Sequence, residues 1–388
     1  IAKIQDQLAW LNVKAVEEAF ADMKQNKAFD AAALQPKLDE LKQLASAGFD
    51  NLYKGDETAI SQAEKALALK REILMANPLL DFDKIIVGRY KMSNARSASA
   101  TSLGTQPNNW SNQSSASRSG FDAEIAELSN LRGDIKVRTI FKPDNGSSVP
   151  DLNLHWDADR ILFTMADEDR RWQVYEVGVD GQNLHRVTNS PEKDIEFFDA
   201  TYLPNGKILT VNNLGYHGVP CVSGADEVGN FCLYDPETGD MRRLTFDQDA
   251  NWGPTLMNNG RVMYTRWEYT DLTHYFSRIV MHMNPDGTEQ KALFGSGIYF
   301  PNSTFDIKPL PGHASKFIGV ISGHHGVARS GRLFLFDPSI HRKSISAMQE
   351  LPYKDREIIP LVKDELVNGV WPQFLKPFPL DDHYFLVT

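Results

Sequence analysis

The sequence predicts an all-β propeller of six or seven blades preceded by a small N-terminal α-helical region, and three observations carry that prediction. From residue 151 onward a hydrophobic strand, a polar turn, a second strand, then Asp-Gly or Asp-Pro and a short basic segment recur. The copies follow one another at roughly 40 to 50 residues, the length of one four-stranded blade. One turn chemistry holds one place in each copy (Asp180-Gly181, Asp235 to Gly239, Asp286-Gly287), where a hairpin needs residues that tolerate positive φ or form Asx turns. A barrel or sandwich also has many short strands, but not this long period with a single turn type.

Residues 1–77 have a different texture. Ala, Leu, Lys, Gln and Glu dominate and apolar residues fall at helical spacing, which predicts three helices, at 3–25, 31–47 and 57–76. Pro78 ends the pattern. This gives a helical region at 1–77, read as a packing appendage or a partner surface, and a propeller at 78–388. The first strand is expected at 81–91. Residues 93–120, rich in Ser and Asn, have the composition of a linker. Trp110 and Arg118 are unusual in an inert spacer, and long loops in compact domains are often functional, so the segment is read as an ordered loop over one propeller face. Strands resume at 124–128 and 135–141. The repeats then occupy 160–165 with 172–188, 207–211 with 230–245, and 261–266 with 277–293. A looser copy lies at 332–338, and 371–388 reads as the start of another blade. That strand at the end and the initial Ile1 suggest a processed or trimmed chain that continues past Thr388.

The 388 residues carry 41 Lys and Arg against 51 Asp and Glu, a net charge of −10, which argues against a nucleic-acid groove. No apolar run is long enough to span a membrane. The two cysteines, Cys221 and Cys232, bracket a Gly-containing loop. They are read either as a small disulfide ring, which would suit an oxidising compartment, or as two separate thiols.

Chemistry-bearing residues gather in the loops of the middle blades, which converge on the propeller axis. His217, His274, His324 and His325 are candidate imidazoles for a ligand or proton transfer. His217, His324 and His325 are weak metal candidates, without a recognised ligand spacing. Glu268 and Asp271, flanked by Arg266 and Arg278, read as an acid/base pair or as a salt-bridge network between blades, with the network preferred. No nucleophile elbow, phosphate-binding loop or dinucleotide fingerprint occurs. A Cys-x-x-Cys-His haem-attachment motif is also missing.

Several segments together resemble the bacterial family related to the hydrazine synthase alpha subunit. They are Ala-Asn-Pro-Leu-Leu-Asp-Phe-Asp-Lys-Ile at 76–85, Leu-His-Trp-Asp-Ala-Asp-Arg-Ile-Leu-Phe-Thr-Met at 154–165, and Arg-Trp-Gln-Val-Tyr-Glu-Val at 171–177. Val-Pro-Cys-Val-Ser-Gly-Ala at 219–225, Arg-Leu-Thr-Phe-Asp-Gln-Asp at 243–249, the run 261–271, His-Tyr-Phe-Ser-Arg at 274–278 and Ser-Gly-His-His-Gly-Val at 322–327 belong to the same likeness. The resemblance implies a TolB-like propeller, exported to the periplasm or beyond, with c-type haem in a downstream region or a partner subunit. Three function classes follow: a propeller that binds a ligand or partner and scaffolds a neighbouring domain, a subunit of a c-type-haem oxidoreductase, and, last, a sugar-active lyase or hydrolase.

Overall fold

The computed structural model describes residues 1–92, 107, 111–219, 223–268, 277–297, 303–323, 327–352, 367 and 369–388. The chain forms two compact units, Ile1–Ile86 with Glu127–Arg138, and Val87–Ala126 with Thr139–Thr388.

In the first unit the helices are α1 (Ala2–Leu8), α2 (Val13–Met23), α3 (Ala31–Ala47) and α4 (Glu57–Met75). The single helix expected over 3–25 is therefore two. Asn12 divides it by accepting the Ala15 N–H on its side-chain oxygen at 3.1 Å, which starts α2 afresh. Asp30 and Asp56 cap α3 and α4 in the same way, at 3.0 and 2.8 Å. Val16 and Phe20 of α2, Leu38 and Leu41 of α3, and Ala63 and Ile73 of α4 form the buried stripes.

β1 (Lys84–Met92), β2 (Phe121–Ser129) and β3 (Lys136–Phe141) make a three-stranded sheet in that order. Four four-stranded antiparallel sheets follow. They are β4 (Asn153–Leu154), β5 (Arg160–Ala166), β6 (Trp172–Gly178) and β7 (His185–Arg186), then β8 (Phe197–Tyr202), β9 (Ile208–Asn212), β10 (Asn230–Tyr234) and β11 (Met241–Arg243). Next come β12 (Asn251–Leu256), β13 (Val262–Glu268), β14 (Ser277–Met283) and β15 (Lys291–Phe294), then β16 (Thr304–Pro309), β17 (Phe317–Ile321), β18 (Arg332–Phe336) and β19 (Met348–Leu351). β20 (Phe378–Pro379) and β21 (Phe385–Leu386) pair as the last sheet.

The propeller has five blades, which corrects the expected six or seven. The inner strands β4, β8, β12, β16 and β20 ring the axis. Two features account for the lower count. Residues before β4 build the separate β1–β3 sheet instead of a blade. Corresponding inner-strand residues also succeed one another at 48, 54, 53 and 70 residues, wider than the period read from the outer strands.

The turn chemistry behaves as the sequence predicts. Between the third and fourth strands of successive blades, the side-chain oxygens of Asp180, Asp235, Asp286 and Asp337 accept the N–H groups of Gln182, Glu237, Thr288 and Ser339 at 2.9–3.0 Å. Gly181, Gly239 and Gly287 supply the positive φ. Phe198, Phe231 and Tyr264 fill the space between neighbouring blades, and Phe231 meets Tyr264 edge-on at 5.0 Å.

Candidate functional site

One residue in the left-handed region stands within each of β8, β12 and β16 or two residues ahead of β4 and β20: Asp151 (φ 60°), Asp199 (52°), Gly253 (62°), Asp306 (52°) and Lys376 (46°). In β8, β12 and β16 these residues fall at the register shifts that bulge the strand. The bulge turns its residue toward the next blade. Asp199 Oδ2 accepts the Gly253 N–H at 2.6 Å, and Asp306 Oδ2 accepts the Lys376 N–H at 3.3 Å. From Asp151 the link passes through the Thr164 hydroxyl, which donates to Asp151 Oδ2 and accepts from the Asp199 N–H, both at 3.2 Å.

This tier is a knot of opposed charges. Lys376 Nζ lies 2.9 Å from Asp306 Oδ1. Burial works to raise the Asp306 carboxyl, but Lys376 and Arg329 more than offset it and hold it below its usual value. Burial, with the Asp199 charge beside it, pushes Asp151 up to about 6. Arg329 stacks over Phe305 and Trp252, 4.9 and 5.3 Å from their ring centroids, and donates to the Ser111 carbonyl at 2.6 Å.

Residues 111–120 lie over this end of the channel, as the sequence reading of an ordered loop proposes. Ser111 Oγ donates to Asp226 at 2.6 Å, Asn112 donates to the Glu227 carbonyl, and Arg118 pairs with Glu196 at 2.7 Å. Gln113, Asp151, Asp199, Trp252 and Arg329 enclose a remnant of only about 10 Å³, room for one water at most. Among the described residues the channel narrows here to this remnant.

Its other end is open. Two residues beyond each left-handed position stands the next ring: Asn153, Thr201, Thr255, Lys308 and Phe378, which line a funnel of about 290 Å³. Asn153 donates to the Thr201 hydroxyl at 3.2 Å, and Lys308 Nζ to the Thr255 hydroxyl at 3.4 Å. Burial, reinforced by Lys376, lowers the Lys308 ammonium below its ordinary value, against the pull of Asp306 and Asp199. Trp156, 55% exposed, stands at the rim, edge-on to Tyr202 at 6.1 Å. The Tyr202 hydroxyl donates to Glu176 at 2.8 Å, which fixes that ring as a wall.

Of the sequence-predicted site residues, the described ones, His217, Arg266, Glu268 and Arg278, do not line the funnel. Arg266 and Glu268, on β13, come together at 3.2 Å, and Arg266 also reaches Asp247 at 3.0 Å. Arg278, on β14, is buried and stacks over Trp267 at 4.7 Å. His217 sits between β9 and β10 with Nδ1 3.1 Å from the Gly215 carbonyl. Its Nε2 is buried and meets no hydrogen-bond partner among the described residues. His274, His324 and His325 lie outside the described residues, as do Trp110, Cys221 and Asp271. Cys232 is a free thiol inside β10, and burial pushes it up to about 12. The one described cluster with metal-ligand geometry is His155, Asp157 and Asp159. It forms the tight turn into β5, where Arg160 already bonds both His155 and Asp159. Sequence reading missed the axial residues altogether.

No family model matches the sequence, and no curated protein matches it. By structure the chain is similar to Kuenenia stuttgartiensis hydrazine synthase, with a TM-score of 0.58 and 13% identity, over 79% of this chain and 42% of that one. It is also similar to TolB from Acinetobacter baumannii, with a TM-score of 0.38 and 15% identity, over 56% of this chain and 46% of that one. The chain thus spans less than half the length of either. Among the described residues no helix is long and apolar enough to cross a membrane. At 13% identity the likeness to hydrazine synthase is one of fold.

Proposed function

We propose that this chain is an exported, periplasmic or extracellular propeller module that binds a ligand in its axial funnel and scaffolds a neighbouring domain. The observation that carries the reading is the one-ended channel. Five inner strands leave a concave, partly polar cavity open on one face, while residues 111–120 close the other. Cavities of this kind, apolar-walled with a few placed polar groups, are where small molecules bind. Export and scaffolding rest on the resemblance of the sequence and on the shared fold. A second reading, a subunit of a c-type-haem oxidoreductase with the haem in a downstream region or a partner, rests on the same resemblance.

The test is ligand-observed NMR with a fragment library on the wild type and on Thr201→Trp, which fills the funnel. Fragments that bind the wild type and fail on the filled variant support the reading. A library without hits, or hits indifferent to the filling, overturns it. Fractionation of the native host checks export. A Soret band with iron in the protein purified with its native partners would promote the haem reading.

A further inference from the structure

Resting on the funnel as the binding site, the structure also points to what it takes. We propose that the funnel binds a carboxylate attached to a six-membered ring, the carboxylate against Lys308 Nζ and the ring against Trp156.

Three observations converge. First, among the described residues no acidic side chain lines the funnel, although the chain carries 51 acids and a net charge of −10. Among the described lining residues the charged side chain is a cation, Lys308. Second, the carboxylates near that cation are engaged in the tier above: Asp306 with Lys376, and Asp199 with the Gly253 N–H. The Lys308 ammonium has three protons to donate, and among the described residues its one hydrogen bond is the long one to Thr255. The hydroxyls of Thr201 and Thr255 stand beside it in the same ring. Third, the opposite wall is aromatic. Trp156 presents more than half its surface, and the buried Tyr202, its hydroxyl tied to Glu176, stands edge-on behind it. A flat or pyranose ring stacks on such a face, and the cavity volume admits one ring with its substituent.

The lowered Lys308 ammonium fits this assignment. A docked carboxylate favours the charged amine, so binding at alkaline pH takes up a proton. Lys376, Asp306 and Asp199 are the other charged groups acting on it.

The experiment is calorimetry with two matched pairs, benzoate with benzamide and glucuronate with glucose, on the folded wild-type chain, Lys308→Met, Lys308→Arg and Trp156→Ala. At least one acid should bind tenfold or more tightly than its neutral partner, with proton uptake at alkaline pH. Lys308→Met should erase that ratio, Lys308→Arg keep it, and Trp156→Ala weaken acid and neutral compound alike. The arginine variant and circular dichroism separate loss of charge from loss of fold, and the two pairs separate an aromatic from a sugar ring. Equal binding within both pairs, or binding of neither, overturns the assignment. Fragments that bind the wild type but not the Thr201-filled variant would still leave the funnel as the binding site.

Discussion

The Asp199 carboxylate accepts the Gly253 backbone N–H at 2.6 Å across the boundary between two blades. The Asp306 link to Lys376 and the Asp151 link through Thr164 repeat that relationship at two other boundaries. The inner strands are thus clasped to one another by carboxylates, not by packing alone. A hydrogen bond to a charged group contributes about 1.5–3 kcal/mol. Asp199→Ala should lose a value in that range in denaturant unfolding followed by tryptophan fluorescence. Asp199→Asn, which keeps an accepting oxygen, should lose less. An alanine variant as stable as the wild type would show that the clasp contributes nothing.

Gly253 and Gly331 are constrained for different reasons, and alanine tells them apart. Gly253 has φ +62°, yet a Cβ there meets nothing within 4 Å, so the cost of Gly253→Ala is conformational, about 1–2 kcal/mol. Gly253→Asn should cost less, since Asn tolerates the left-handed region. A Cβ on Gly331 runs into the Ile321 carbonyl oxygen in the backbone of the neighbouring β17. Gly331→Ala should therefore cost more than Gly253→Ala and should not be rescued by Asn. Thermal unfolding of the four variants orders them.

The outer strands and their turns were legible because their chemistry is local. Asp180-Gly181 and Asp286-Gly287 declare a turn wherever they stand between apolar runs. The blade count was not, because it depends on which strands reach the axis, and residues 84–141 build strands of the right length that form a sheet of their own. The axial tiers do leave a faint trace. Asp151-Leu-Asn153, Asp199-Ala-Thr201, Gly253-Pro-Thr255 and Asp306-Ile-Lys308 stand in one register ahead of each second strand. Searching for histidines and paired charges passed over it, because the signal is a position repeated around a ring, with Gly and Lys standing where Asp stands elsewhere. Arg266 and Glu268 meet because they lie two apart on one strand, on the same face.

Asp151 makes stability depend on pH in a predictable sense. Its folded value, about 6, lies above that of an unfolded aspartate. Between about pH 4 and 6 the native state therefore holds a proton that the unfolded chain releases, and stability falls as pH rises through that window. Above it the burden is complete. Asp151→Asn keeps an acceptor for Thr164 and removes the burden. It should be more stable than the wild type at pH 7 to 8, the advantage shrinking as pH falls toward 4. Unfolding midpoints of both proteins across pH 4 to 8 check this; a constant offset would mean that Asp151 does not titrate there.

The closed end of the channel depends on Arg118. Its guanidinium reaches Glu196 at 2.7 Å and stands 6.0 Å from the Trp172 ring centroid. Glu196 also accepts the Trp172 N–H at 3.2 Å. Burial raises the Glu196 carboxyl even with Arg118 pulling the other way, so removing the arginine leaves a buried acid that is easier to protonate. The segment 111–120 has further anchors in Ser111 to Asp226 and Asn112 to Glu227. Arg118→Ala should therefore loosen the segment and leave the blades folded. Backbone amides of residues 111–117 should exchange with solvent at least tenfold faster, while those of β9 and β10 keep their protection. Uniform acceleration through β9 and β10 would instead make Arg118 a support of the whole propeller. Unchanged exchange in the segment would assign the closure to its other anchors, Ser111 to Asp226, Asn112 to Glu227 and Arg329 to the Ser111 carbonyl.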